Sequence, residues 1–141
     1  FKISKGKQEF LELGNLYALR DWGHAQDYVE AMWMMLQEEK PDDYVIATNK
    51  QYSVKDFIEE AAKYYDLEIV WSGEGLEEVG KDKKSGKVII KINEKYFRPT
   101  EVESLLGDYT KAKKKLGWEP QTSFEELVED MCKANLEVSN K

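Results

Sequence analysis

The sequence contains a single cysteine, Cys132, and a single histidine, His24. One thiol cannot close an internal disulfide, and no group of cysteine and histidine residues has the spacing of a zinc site. Cys132 falls within a helical pattern, which favours an inert, partly buried thiol over a reactive thiolate. We therefore expect no metal site, a reducing compartment and a cytoplasmic location.

Long apolar runs and excess positive charge are also missing. No run approaches the about 20 residues needed to cross a bilayer, and the longest, residues 31–36, is predicted to be one buried helix face. The net charge is −7, which argues against general nucleic-acid binding, because that binding depends on Lys and Arg neutralising phosphates. A small phosphorylated ligand is still possible, since a few arginines in a pocket can override the global charge.

The sequence also lacks the motifs of a complete active site. There is no G-x-G-x-x-G dinucleotide loop, no Walker pattern and no G-x-S-x-G nucleophile elbow. We therefore predict no catalytic and no cofactor-binding residue from the sequence itself. The first residue is Phe1 rather than Met, for which a fragment boundary is the simplest explanation.

The elements that are present predict an α/β layer structure. The first half has a short strand at 10–13, a helix at 25–39 and a buried strand at 44–47. The helix is predicted from one apolar face at i, i+3, i+4 and i+7. That face consists of Val29, Met32, Trp33 and Leu36.

In the second half, Ser53 and Asp56 indicate a helix N-terminus, and strands are predicted at 67–71 and 88–92. Residues 73–86 are rich in Gly, Glu and Lys and are predicted to form a surface loop with a turn at Ser85-Gly86. Three helical elements finish the chain. They are predicted from Thr100 with Glu103, from Asp108 before 110–116 with Gly117 as the C′ residue, and from Ser123 with Glu126.

Two segments have the residue types of a phosphate site, 20–24 (RDWGH) and 96–101 (YFRPTE). The planar guanidinium groups of Arg20 and Arg98 could each donate two parallel hydrogen bonds to a phosphate. Glu101 could accept hydrogen bonds from a guanine or from sugar hydroxyls. The alternatives are a surface or interdomain salt bridge for Arg20, of the kind an adjacent Asp suggests, and a purely structural role for His24.

The same segments closely resemble the GDP-mannose 4,6-dehydratases, members of the extended short-chain dehydrogenase family of nucleotide-sugar enzymes. The matching stretches are LGNLYALRDWGHAQDYVEAMWMMLQ, DYVIAT, QYSVKDFIEEAA, YFRPTEVESLLGD and TKAKKKLGWEPQTSFEELVEDM. They follow the family's order and cover most of the chain. The combination of RDWGH with YFRPTE favours the dehydratases over related nucleotide-sugar epimerases or reductases.

The resemblance implies the carboxyl-terminal portion of such an enzyme. Residues 1–50 would form the end of a Rossmann-type domain with a crossover segment, including its last helix and strand. Residues 51–141 would form a small α/β lobe that binds the nucleotide-sugar. The family converts GDP-mannose to GDP-4-keto-6-deoxymannose and water with NADP. The family's catalytic Tyr, Lys, Thr and Glu and its NADP loop match no residue here, so the chain alone is expected to be inactive.

The resemblance implies that residues of this chain bind the substrate. Arg20 and Arg98 match the family's arginines in the two segments and look like diphosphate or ribose-side contacts, and Glu101 looks like the guanosine-side acceptor. Asp21, Trp22 and His24 are expected to shape the segment rather than touch the ligand. Two further interpretations remain open, a non-catalytic GDP-sugar-binding module and an assembly fragment, since family members are homo-oligomers and the helix at 25–39 would expose apolar surface without a partner.

Overall fold

The computed structural model describes residues 1–96, 102 and 104–139 of the chain. These residues form two compact units, and the chain passes between the units four times. The first unit comprises Phe1–Ala18, Ser53–Glu103 and Val128–Lys141. The second comprises Leu19–Tyr52 and Ser104–Leu127. The predicted division into 1–50 and 51–141, which concerns the lobes of a larger enzyme, stays a prediction.

A four-stranded mixed sheet forms the centre of the first unit. Its strands are β1 (Leu11–Leu13), β4 (Ile69–Ser72), β5 (Val79–Asp82) and β6 (Val88–Ile92), in the order β1-β6-β5-β4. β1 runs parallel to β6, while the other neighbours are antiparallel. The strands predicted at 10–13, 67–71 and 88–92 are confirmed, the first two with bounds shifted by one or two residues and the third with the bounds predicted.

Strand β5 corrects the prediction that residues 73–86 are a loop. Gly80 interrupts the apolar alternation from which a strand is recognised, and the side chains of both neighbouring strands pack closely against it. A Cβ at Gly80 would lie 3.0 Å from Ile69 Cγ2 and 3.1 Å from Ile90 Cβ on the two neighbouring strands. The predicted Ser85-Gly86 turn is confirmed, with the Gly86 N–H donating to the Asp82 carbonyl at 2.8 Å.

Local capping signals set the helix ends that the sequence predicted. α2 (Val54–Tyr64) begins with a capping box in which Ser53 and Asp56 exchange hydrogen bonds. α4 (Phe124–Ser139) begins with the same reciprocal pair from Ser123 and Glu126, at 2.8 and 3.2 Å. α3 (Thr110–Leu116) ends at Gly117 in the left-handed conformation, with φ of 73°. These bonds satisfy helix-terminal N–H and C=O groups that have no partner inside the helix.

The second unit is built around α1 (Ala25–Met35) and α3. Ala31, Ala112 and Trp118 form its buried core. The rings of Tyr28 and Tyr109 meet the Trp118 ring edge to face, with centroids 6.3 and 5.8 Å away. The short strand β2 (Leu19–Arg20) pairs with β3 (Tyr52–Ser53), at which the chain returns to the first unit.

Helix α1 differs from its prediction in length and in orientation. It ends at Met35 rather than at 39, and the next N–H groups, of Leu36 and Gln37, donate to carbonyls three residues back. The buried side holds Asp27 and Ala31. The apolar face predicted from the sequence is exposed, by 57–81% at each of its four residues, as expected for this helix without a partner: Val29, Met32, Trp33 and Leu36. The prediction that residues 31–36 form a buried face is therefore confirmed for Ala31, Met34 and Met35 and wrong for the other three, because periodicity identifies an apolar face without identifying what covers it.

Two further predictions fail where a segment has no regular partner. Residues 44–47 form no strand, because no described strand runs beside them; Tyr44 and Ile46 pack instead against the core of the second unit. The helix predicted to begin at Thr100 with Glu103 is also absent at Val102, Leu105 and Leu106, which would lie within it. The chain there is held by a parallel bridge between Ser104 and Leu19. Thr100 and Glu103, its predicted capping box, lie outside the described residues.

Candidate functional site

Arg20 lies at the end of β2 in the second unit, immediately before the extended segment that leads into α1. Its side chain is half-buried, and its Nη1 donates to the Leu19 carbonyl at 2.7 Å. The Leu105 N–H donates to that same carbonyl at 3.3 Å. The chain that follows the YFRPTE segment therefore lies beside the strand that carries Arg20.

Arg98 and Glu101, the other predicted substrate-binding residues, lie outside the described residues. The predicted convergence of Arg20 and Arg98 on one nucleotide stays a prediction. The described part of the site consists of Arg20 and the groups that hold its backbone.

The Asp21 carboxylate holds this segment in place by accepting four hydrogen bonds. Its Oδ1 accepts hydrogen bonds from the Thr48 N–H at 2.8 Å and the Thr48 hydroxyl at 2.7 Å. Its Oδ2 accepts from the N–H groups of Asn49 at 3.2 Å and Gly107 at 3.4 Å. One carboxylate thus ties the chain after Arg20 to two segments that are distant in sequence.

This arrangement tests one form of the salt-bridge alternative, an ion pair between Arg20 and Asp21. Both Arg20 and Asp21 are described, and the two side chains form no ion pair with each other. The Asp21 carboxylate accepts hydrogen bonds from uncharged donors. An ion pair with Asp21 therefore does not position Arg20.

The remaining residues of the RDWGH segment also have structural partners. Trp22 Nε1 donates to the Tyr52 carbonyl at 3.4 Å. His24 caps α1, where its Nδ1 accepts from the Gln26 N–H at 3.1 Å. These contacts agree with the prediction that Asp21, Trp22 and His24 shape the segment.

The turn between β2 and α1 does not fit a dinucleotide. In dinucleotide-binding turns, glycines let the pyrophosphate approach the backbone at the helix N-terminus. Here Tyr28 covers Gly23 so closely that a Cβ at Gly23 would lie 2.2 Å from the Tyr28 hydroxyl oxygen. The His24 ring occupies the first turn of the helix. No step that needs a nicotinamide cofactor can therefore be assigned to these residues.

The described residues beside Trp22 enclose a small cavity, and the described residues include no group of metal ligands. A cavity of about 150 Å³ beside Trp22, Tyr52 and Phe124 is smaller than the several hundred Å³ typical of ligand pockets, and Arg20 does not line it. Within the described residues, no group of three His, Cys, Asp or Glu side chains could hold a metal ion. The described helices include none that is both long and apolar enough for a membrane span.

Sequence reasoning did not identify Thr48, Asn49 or Gly107 as part of the site. Each is separated from Asp21 by 27 to 86 residues, so no local pattern could reveal the contacts. The residue type of Asn49 was a weak signal, because Asn tolerates a positive φ better than most residues, and Asn49 adopts a φ of 60°.

Comparison with known proteins identifies strong relatives along almost the whole chain. The family model described as GDP-mannose 4,6 dehydratase matches residues 1–131. The chain is 56% identical over 140 residues to the GDP-mannose 4,6 dehydratase of Drosophila melanogaster, covering 99% of the chain and 35% of the relative. It is 52% identical to the human protein of the same name, covering 97% of the chain and 37% of the relative. The chain thus spans slightly more than a third of the length of these curated relatives.

Solved structures share the fold at much lower identity. A dTDP-glucose 4,6-dehydratase from Bacillus anthracis in complex with NAD matches with a TM-score of 0.73 and 18% identity, covering 99% of this chain and 38% of that one. RMD from Pseudomonas aeruginosa, complexed with NADPH, matches with a TM-score of 0.72 and 17% identity, covering 94% and 38%. At these identities the likeness establishes the fold alone.

Proposed function

Because the chain belongs to the GDP-mannose 4,6-dehydratase family, we propose that it is the part of such an enzyme that binds the GDP-sugar. Its fold class, α/β and part of an extended short-chain dehydrogenase, is as predicted. The whole enzyme would convert GDP-mannose to GDP-4-keto-6-deoxymannose and water. It would act in the cytoplasm as a homo-oligomer with NADP, which supplies hydride transfer when bound.

The role proposed for this chain is recognition of the diphosphate. The observation that carries it is the placement of Arg20 at the end of β2, with its backbone held on both sides by hydrogen bonds. A guanidinium stays charged at every working pH and can donate two parallel bonds to a phosphate. The net charge of −7 makes such a local positive group the main source of attraction for an anionic ligand.

Titration calorimetry of the 141-residue chain with GDP tests this role. We expect weak binding to the wild type and a loss of about tenfold or more in affinity for Arg20→Ala, because hydrogen bonds to charged groups contribute about 1.5–3 kcal/mol. Lys111→Ala is the matched control, since Lys111 belongs to the same unit but pairs with Asp42 at 2.7 Å.

Two results would count against the role, and a third would contradict the expected inactivity of the chain. Absence of heat with the wild type would end the binding proposal, and equal affinities of wild type and Arg20→Ala would remove Arg20 from the site. Turnover of GDP-mannose by this chain with NADP would contradict the expectation that it is inactive alone.

A second candidate function, assembly, is favoured by the exposed face of α1. Val29, Met32, Trp33 and Leu36 together present a large apolar surface, and contiguous surfaces of this kind mark interaction sites. We expect the chain to self-associate through this face, so that light scattering shows a mass that rises with concentration. Leu36→Lys should restore a monomer, whereas Val70→Lys, at a half-exposed apolar residue of β4, should not. A wild type that stays monomeric throughout would exclude this role.

A further inference from the structure

We propose that Asp21 is a positioning residue for Arg20, and that its carboxylate sets the phosphate-binding geometry of the site. The inference rests on the proposed function, because it assigns Asp21 to the same GDP-binding site. Asp21 itself would not touch the ligand.

The first support is the hydrogen bonding of the Asp21 carboxylate. Its two oxygens accept four hydrogen bonds, three of them from backbone N–H groups. The donors come from the Thr48-Asn49 turn and from Gly107. A rotation of the Asp21 side chain would break several bonds at once, so the peptide that joins Arg20 to Asp21 is held in one place.

The second support is that the other side of Arg20 is held as well. Leu19 forms the parallel bridge to Ser104, and its carbonyl accepts from the Leu105 N–H at 3.3 Å. Arg20 therefore lies between two anchored neighbours. Ser104, Leu105 and Gly107 belong to one stretch, so that stretch is bonded to both neighbours of Arg20.

The third support is chemical. An asparagine at position 21 has nearly the shape of aspartate, but its amide nitrogen is a donor and would face N–H donors. No orientation of that amide could accept all four bonds. A bidentate guanidinium–phosphate contact is sensitive to such a change, because supporting groups must hold a binding constellation to within about 0.5 Å.

This mechanism predicts a loss that depends on the ligand's phosphates. Wild type and Asp21→Asn are titrated with GDP and with guanosine, well below the unfolding midpoint of each. We expect Asp21→Asn to weaken GDP binding about tenfold, as for the loss of a charge-assisted contact, and to change guanosine binding by less than about twofold. Thr48→Val, which removes one of the four bonds and leaves the three from backbone N–H groups, should reduce GDP affinity by less than Asp21→Asn does.

The outcomes separate this inference from the function on which it rests. Equal losses for GDP and guanosine would show a general structural role and overturn the inference, and so would unchanged GDP binding. Failure of the wild type to bind GDP would instead overturn the proposed function. If Asp21→Asn does not fold, Asp21→Glu replaces it. Glutamate keeps the charge but displaces the carboxylate by one methylene, so the same GDP-specific loss is expected, and its absence would overturn the inference.

Discussion

Replacing Gly107 with alanine is expected to unfold the second unit or to destabilise it by about 3 kcal/mol or more, the upper part of the range for overpacking. A Cβ at this position would lie 2.2 Å from Ala47 Cβ and 3.3 Å from Val45 Cγ1. The clash with Ala47 involves a Cβ next to the main chain, so no rotamer change can relieve it. The Gly107 N–H bond to Asp21 would be lost with the displacement. Urea unfolding followed by tryptophan fluorescence measures the effect.

Gly117→Ala is the matched control for this substitution. Gly117 belongs to the same unit and has a φ of 73°, but a Cβ there would meet nothing within 4 Å. Its replacement should cost only the about 1–2 kcal/mol of a left-handed conformation. If the two variants lose equal stability, or if Gly107→Ala unfolds like the wild type, the packing around Ala47 is not as described.

Lys55→Met is expected to destabilise the first unit by about 3 kcal/mol. Lys55 Nζ lies 2.8 Å from Glu78 Oε1, and the Glu78 side chain is only 5% exposed. Removing one partner of a buried ion pair leaves an uncompensated charge, which typically costs 3–5 kcal/mol. The Tyr17 hydroxyl still hydrogen-bonds Glu78 at 2.8 and 2.9 Å to its two oxygens, so we expect the lower end of that range. Thermal and urea unfolding report the change.

Lys63→Met provides the control on the same helix. Lys63 pairs with Glu60 at 2.6 Å, but its side chain is 69% exposed, and exposed pairs contribute at most about 1 kcal/mol. The double variant Lys55→Met with Glu78→Gln should regain part of the stability, because it removes the buried charge. Equal effects of the two lysine variants would contradict the burial of this pair.

The same ion pair predicts a dependence of stability on alkaline pH. Burial alone would lower the pKa of Lys55, but its hydrogen bonds and charge interactions with Glu78 and Tyr17 outweigh burial and raise that pKa. A raised lysine pKa stabilises the fold fully below the unfolded-state value of about 10.4 and loses this contribution as pH rises through the folded value. The stability difference between wild type and Lys55→Met should therefore shrink above pH about 10.4.

Local chemistry made several elements predictable from the sequence. The Ser53–Asp56 and Ser123–Glu126 boxes and the glycine at 117 each satisfy backbone groups of their own helix. The information for such contacts lies within a few residues, so it can be read directly. The RDWGH segment was recognised for the same reason, as a short run of unusual composition before a helix.

Elements that depend on distant partners were not predictable in this way. β5 exists because β4 and β6 lie on both sides of it, whereas residues 44–47 lack a described neighbouring strand and form none. The apolar periodicity of α1 is real, but Ala31 rather than Trp33 meets the core. The role of Asp21 likewise depends on groups up to 86 residues away.

The interleaving of the two units has a consequence for any attempt to dissect the protein. Each unit is assembled from separate stretches, three in the first and two in the second. One scission after residue 50 would leave both halves of the polypeptide with pieces of both units. Neither unit can be produced as an uninterrupted gene segment; isolating one requires joining its stretches through designed linkers. Because each unit closes only after remote stretches have met, the second unit cannot finish folding on a ribosome before residues 104–127 have emerged, and the first must wait for the stretch that begins at Val128.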